Sequence, residues 1–377
     1  MSDSLQEFLN ETPGAKPSLH LAAFGKHPGW DDHLDDFGFE TESLVGAKQL
    51  IYLQGLASQI DAAAWEDLAP NKRLRDFNHL LLWTGRTGFI AGAIWSSQDG
   101  KGRAKYPMVL CAHAVGAPPE WALALFPVLE GLKAACQATP SADEVRRILT
   151  EGRERLRAEL ARAASPPASG GQPAEPAGAA RPALHRVLYE IFSQMKELSP
   201  GVPKGRRPME LPSRRLRVPA TPADSRALAG WTRLVRSQLD PEVPLLGMAA
   251  CEGGWVDLVA GRPSAQDFFC LRATTVQLPL TTEIPYTLEP AFVAAADAVL
   301  DDLAAQRDSG RTIFGERPAG GFMLFPWAAG AGGGVTFQAE PGPAHPAPPS
   351  LKWVKAGFIL LVAIIIGVTI YFASRNG

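Results

Sequence analysis

The sequence predicts a mixed α/β protein: a substantially antiparallel sheet with flanking helices, plus one C-terminal transmembrane helix. Three observations predict it. Short apolar runs come in consecutive pairs joined by glycine-containing turns, as in His79–Thr84 followed by Phe89–Ser97. Longer stretches with apolar residues at helical spacing are segregated around those pairs instead of alternating with every strand. Finally, residues 356–373 read AGFILLVAIIIGVTIYFA without a single charge.

The elements follow in order. Leu19–Phe24 (LHLAAF) reads as an opening strand, and Thr41 as the N-cap of a helix to about Ile60, with Leu44, Ala47, Ile51 and Leu56 at helical spacing. His79–Thr84 and Phe89–Ser97 form a hairpin around Gly85–Gly88, and Tyr106–Val115 supplies a third strand. Helical patterns run over Pro119–Ala138, Ala142–Ala163, Pro182–Leu198, Pro222–Leu239 and Pro290–Arg307. Leu245–Cys251, Trp255–Val259 and Phe268–Arg272 read as short strands. The chain therefore divides into a flexible N-terminus (1–18), a first part of the globular unit (19–163), a low-complexity insertion (164–182), a second part (183–320), a Gly/Pro-rich spacer (328–350) and an anchor (353–374).

Composition narrows the class. Among 377 residues, 46% are hydrophobic and 20% charged, as in ordinary globular proteins. Thirty-seven basic against thirty-nine acidic side chains leave a net charge of −2, so no global positive field exists to hold a nucleic acid, and none is expected as partner. The four cysteines, Cys111, Cys136, Cys251 and Cys270, show no CxxC spacing, which argues against a disulfide framework or zinc ribbon and suits a reducing compartment. The N-terminus lacks the basic start and apolar run of a secretory signal.

At about 1.5 Å per residue, the uncharged run makes a helix of roughly 27 Å, close to the thickness of a bilayer's hydrocarbon core. Trp353 and Tyr371 stand where interfacial aromatics belong, and Lys352, Lys355 and Arg375 can reach headgroups. A single-pass tail anchor in the cytoplasmic membrane is expected, with the globular part in the cytoplasm. The proline-rich segment before it acts as a spacer. A third irregular stretch, Val202–Pro219, carries six basic residues and one acid. It reads as a solvated connection, with contact to anionic lipid through Arg206–Arg217 as the alternative, which would make the chain a structural membrane organiser.

Chemistry has few places to reside. The run Gly25–Asp36 (GKHPGWDDHLDD) offers His27, Asp31, Asp32 and His33 as metal-ligand candidates, and a metal-dependent hydrolase built on His27–Asp36 is the enzymatic alternative. Six acids between Asp31 and Glu42 also describe a solvated loop. No HExxH pairing supports the metal site, Gly25-Lys26 lacks the upstream glycine and following hydroxyl of a P-loop, and no GxSxG elbow occurs. Cys111 and His113 share a strand face, where a packed strand is the simpler reading than a dyad. No cofactor and no catalytic residue are expected. The run Ser97–Pro107 reads first as a tight turn, in which Asp99 accepts backbone N–H bonds and Arg103 pairs with an acid.

Those two runs resemble the TagF family, accessory proteins of bacterial type VI secretion. The family's opening strand and G-K-x-P have their counterpart in Phe24-Gly25-Lys26-His27-Pro28 with Asp31 or Asp32. Its S-x-D-x-x-G-R followed by an aromatic-proline pair is matched by Ser97, Asp99, Gly102, Arg103, Tyr106 and Pro107. A later stretch, Gly253-Gly-Trp255 through Gly261-Arg-Pro263 and Phe268, is similar as well, so the likeness covers roughly residues 19–275. Trp30-Asp31-Asp32 replaces the family's Gly-Asp-Phe, and one extra residue separates Arg103 from Tyr106. The resemblance implies a non-catalytic cytoplasmic regulator that binds a forkhead-associated scaffold protein. Lys26, Trp30, Asp31, Asp32, Asp99 and Arg103 are the candidate partner-binding or fold-fixing residues. Lys26 and Arg103 would pair with the acids, and Trp30 is either an exposed anchor or part of the core.

Overall fold

Seven strands build one sheet in which every pairing is antiparallel: β1 (Ser18–Gly25), β2 (Asn78–Thr84), β3 (Gly88–Trp95), β4 (Met108–Val115), β5 (Arg214–Pro219), β6 (Leu245–Ala250) and β7 (Trp255–Ala260), in the order β1-β4-β3-β2-β6-β7-β5. This is a computed structural model, and it describes residues 17–86, 88–164, 180–200, 212–285 and 287–308. The chain divides into two units, Met1–Phe322 and Met323–Gly377, and the described residues all belong to the first. Most of the N-terminus 1–18 and of the insertion 164–182, the spacer 328–350, and the anchor 353–374 with Lys352, Trp353, Lys355, Tyr371 and Arg375 lie outside them. Among the described residues no helix is long and apolar enough to cross a membrane.

Apart from the basic edge strand β5, the strands are mainly apolar because both faces of the sheet are covered; β3, β6 and β7 are buried at every position. One face carries α1 (Glu42–Ala47), which continues as a π-helix (Lys48–Leu56) and then as α2 (Ala57–Asp61). Thr41 caps α1, its Oγ1 accepting the Leu44 N–H at 3.3 Å as the sequence predicts. Leu50, Ile51, Tyr52 and Leu56 press on Phe24, Leu81, Trp83, Val109, Leu246 and Met248 of the sheet. Gly55 is where a bare backbone is required: a Cβ there would stand 2.5 Å from the Phe268 ring.

On the other face lie α3 (Ala122–Gln137), α4 (Ala142–Ala163) and, beyond α5 (Arg181–Gln194), α6 (Ser225–Gln238). Ser141 caps α4, and the Asp224 carboxylate caps α6 by accepting the Arg226 and Ala227 N–H groups. Gly247 of β6 faces Leu228 and Thr232 of α6, and Gly152 of α4 faces Leu132 of α3. α5 rests on β5, and α7 (Pro290–Asp308) packs on α5.

Two expectations need correction. Phe268–Arg272 is not a strand: Ala265–Leu271 is a 3-10 helix, capped where the Asp267 carboxylate accepts from the Ser264 N–H at 2.7 Å. Its apolar residues are buried by packing under the π-helix, with no ladder partner involved. The basic stretch ending at Pro219 is not solvated throughout either, because Arg214–Pro219 forms the edge strand β5 against β7. Arg217 is 3% exposed, bonded to Asp257 and three backbone carbonyls, and so withdrawn from any lipid surface. Boundaries shift elsewhere. The third strand begins at Met108, leaving Tyr106 in a loop, and the helix expected to Leu198 ends at Gln194 before a short 3-10 turn.

Candidate functional site

The strand order brings the two loop runs to one corner. β1 lies beside β4, and β4 beside β3, so the turn leaving β1 at Gly25 meets the β3–β4 connection. Gly25 has φ +106°, and a Cβ there would sit 2.2 Å from the Pro107 carbonyl; the Lys26 N–H that follows donates to that carbonyl at 3.2 Å. Lys26 thereby turns inward.

Lys26 and Asp99 are both buried, at 4% and 1% exposure. The Lys26 ammonium donates to Asp99 Oδ2 at 2.5 Å, and Arg103 Nε donates to the same oxygen at 2.7 Å. Asp99 Oδ1 accepts the backbone N–H groups of Lys101 and Arg103 at 3.0 and 2.9 Å. Burial alone would raise this carboxyl, but the Lys26 bond and those from Arg103 and Lys101 outweigh it and hold the group well below the usual carboxylate range. The lock extends outward. Arg103 Nη2 reaches the Asp31 carbonyl at 2.8 Å and Asp32 Oδ1 at 3.2 Å, Lys26 Nζ lies 3.4 Å from Asp32, and the Gly100 N–H donates to the Trp30 carbonyl at 2.6 Å. Asp31, Asp32, Lys101 and Arg103 leave half or more of their side-chain surface in solvent. The predicted pairing of Lys26 and Arg103 with acids is present, and five of the six candidates share one network.

Trp30 departs from both readings offered for it. It is half-buried between layers: the Arg146 guanidinium lies 5.3 Å from its ring centroid, His27 meets it edge-on, and its Nε1–H donates to Asp35 at 3.0 Å. It closes the loop onto α4, so it is neither a free anchor nor a core residue.

The metal-ligand candidates do not converge. His27 is 1% exposed; its Nδ1 accepts the Gly29 N–H at 3.0 Å, which places the proton on Nε2 to donate to the Cys136 carbonyl at 2.9 Å. Both nitrogens are used, and burial pushes the ring's pKa down, outweighing the raising effect of the Cys136 and Thr139 backbone groups. His33 packs instead on Tyr52 and Tyr106. Among the described residues no three His, Cys, Asp or Glu side chains gather where an ion could sit. The Cys111–His113 pair is a packed strand: burial pushes the Cys111 thiol up to about 12, and His113 Nδ1 bonds Thr41 at 3.0 Å.

A cleft of about 340 Å³ opens beside the lock, lined by His27 and Pro28 from the first loop, Trp95–Gln98 and Ala104 from the second, and Cys136 and Gln137 from the end of α3. Nothing in the spacing of these residues announces it, since three separate segments form it.

Sequence reasoning also missed the Arg217–Asp257 pair, in which Nε and Nη2 donate to the two carboxylate oxygens at 2.9 and 2.8 Å. Arg217 stacks 4.7 Å from the Trp255 ring centroid, so Trp255 and Asp257 of β7 hold it together. Its signal was the alternation Arg215-Leu216-Arg217-Val218.

The class these features define is an antiparallel α/β module whose surface loops are fastened by buried charges. No protein-family model matches the chain, and no curated protein matches it.

Proposed function

We propose that this chain is a non-catalytic protein-interaction module, a TagF-like accessory or regulator of a type VI-secretion-like assembly. The 353–374 run tethers it to the cytoplasmic membrane, and its partner is a forkhead-associated scaffold protein. One observation carries the reading: the two TagF-like loop runs, 73 positions apart at Lys26 and Asp99, are joined by a buried, fully compensated ion pair. Such a lock does no chemistry of its own. It fixes the backbone of both loops and presents Asp31, Asp32, Lys101 and Arg103 in a preset arrangement, which lowers the entropy lost on docking. The apolar run and its spacer support the membrane part, because a tether raises the effective concentration of the module beside a membrane-bound machine.

Reciprocal affinity purification tests this with the full chain and the forkhead-associated scaffold from the same cells. The expected result is mutual recovery, weakened by Asp31→Lys with Asp32→Lys. Absence of the scaffold from both pull-downs would sink the role, and release of the full chain by alkaline carbonate would sink the anchor.

A further inference from the structure

We infer that the outer face of the helical run Glu42–Asp61 docks into an apolar groove of the protein partner whose two ends carry lysine or arginine, an inference that rests on the interaction-module reading. The run is α1, the π-helix and α2 end to end, and its inner face packs on the sheet. Glu42, Val45, Gln49, Leu53 and Asp61 are all exposed, and steps of three, four or eight keep them on one side of a helix. Val45 and Leu53 leave 43% and 48% of their surface in solvent, whereas Leu44, Leu50, Ile51 and Leu56 are 3% exposed or less. The core is thus fully served by the inner residues, and the two outer ones have no role in it. They stand at most about 12 Å apart along the axis, at about 1.5 Å per residue, so one groove can take both. The π-helix, a form that recurs at functional sites, supplies Gln49 and Leu53.

Charge says what the groove must look like. From Asp31 to Asp67 the chain carries nine acids and one base, Lys48. Arginines of other elements answer Asp32, Asp35 and Glu40, and Lys48 answers Asp36. At the two ends of the outer face nothing does. No basic side chain bonds Glu42 among the described residues, and Asp61 accepts the Tyr106 hydroxyl at 2.7 Å. Apolar side chains between two uncompensated carboxylates are complementary to an apolar groove with cationic ends.

The face is also continuous with the charged corner. Tyr106, from the second loop run, reaches Asp61; His33, from the first, meets Tyr52 of the π-helix edge-on; and Lys48 ties Asp36 to the same helix. A partner held at Asp31 and Asp32 therefore lies beside this face.

The experiment places a photo-crosslinking amino acid at Gln49 of the full chain in cells and measures scaffold affinity for surface variants. The expected crosslink is to the forkhead-associated scaffold, and the same group at Arg155, on the sheet's other side, should give none. Val45→Lys and Leu53→Lys should each weaken scaffold binding at least about tenfold. Glu42→Gln should weaken it about threefold and flatten its salt dependence, and Arg155→Ala should change it less than about twofold. A lysine stem covers the buried half of each apolar site, so both variants should keep the wild-type urea midpoint; if either falls, Leu53→Gln repeats the test. Wild-type affinity in the Val45 and Leu53 variants would overturn the inference and leave the interaction reading standing. A Gln49 crosslink between two copies of this chain would overturn it as well, and an unchanged Glu42→Gln would remove the cationic ends. No scaffold with the wild type, together with a Gln49 crosslink to another protein that Leu53→Lys abolishes, would sink the secretion role and keep this face.

Discussion

Replacing Arg217 by methionine removes one guanidinium and strands four acceptors. Its partner Asp257 has 3% of its side chain exposed and would keep a carboxylate with no counter-charge. The carbonyls of Cys270, Ala273 and Leu278 would lose donors at 3.1, 2.8 and 3.1 Å. Breaking a buried, hydrogen-bonded ion pair from one side costs about 3–5 kcal/mol. A folded domain has only about 5–15 kcal/mol in total, so Arg217→Met should consume a large fraction of it. The double variant Arg217→Met/Asp257→Leu separates the causes: it removes the lone charge but still orphans the three carbonyls, and should recover about 1–2 kcal/mol of the loss. Urea denaturation followed by tryptophan fluorescence measures both. A cost below about 1 kcal/mol for the single variant, or no recovery in the double, would refute the reasoning.

Other outcomes follow from the same geometry. Burial pushes His79 and His113 down to about 3, and unfolded imidazoles titrate near about 6.5. Between those values the folded protein binds fewer protons than the unfolded chain, so stability is full above about pH 6.5 and falls as pH drops through the window. The slope reaches about 1.4 kcal/mol per pH unit for each ring, and His79→Gln should remove one ring's share of it in denaturation series between pH 8 and 5, His27 and His113 keeping theirs. Gly55→Ala pushes a methyl to 2.5 Å from Phe268 and should cost about 1–3 kcal/mol, part of which Phe268→Leu returns in thermal melts. Because the Asp99 carboxyl is held low, its contribution is present above the ordinary carboxylate range and is lost only on deep acidification. Lys26→Met should therefore move the acid-unfolding midpoint to higher pH, and an unchanged midpoint would remove Lys26 from the lock.

Much of the site was legible because its chemistry is local. Asp99 bonds the N–H groups of Lys101 and Arg103, which a turn of that composition demands, and Thr41 caps a helix it immediately precedes. Trp30 was not legible. Its position depends on Arg146 arriving from α4 to cover the ring and bond Asp35 of the same loop, and no spacing within Gly25–Asp36 encodes that meeting. Phe268–Arg272 misled because an apolar run buried under a helix and one buried in a ladder have the same composition.

The amino-acid order by itself determined the periodicities: paired apolar runs that become hairpin strands, helical stripes with their capping residues, turns at glycine, and the charge-free stretch near the C-terminus. Each depends on neighbours a few positions away, whose backbone preferences act before any long-range contact forms. Only the tertiary structure decided that β1 ends beside the β3–β4 loop, that Arg217 enters the interior opposite Asp257, and that three distant segments enclose a neutral cleft. Those outcomes depend on which surfaces exclude water together. A charge takes its role from that company, and a side chain's identity alone does not specify who its neighbours will be.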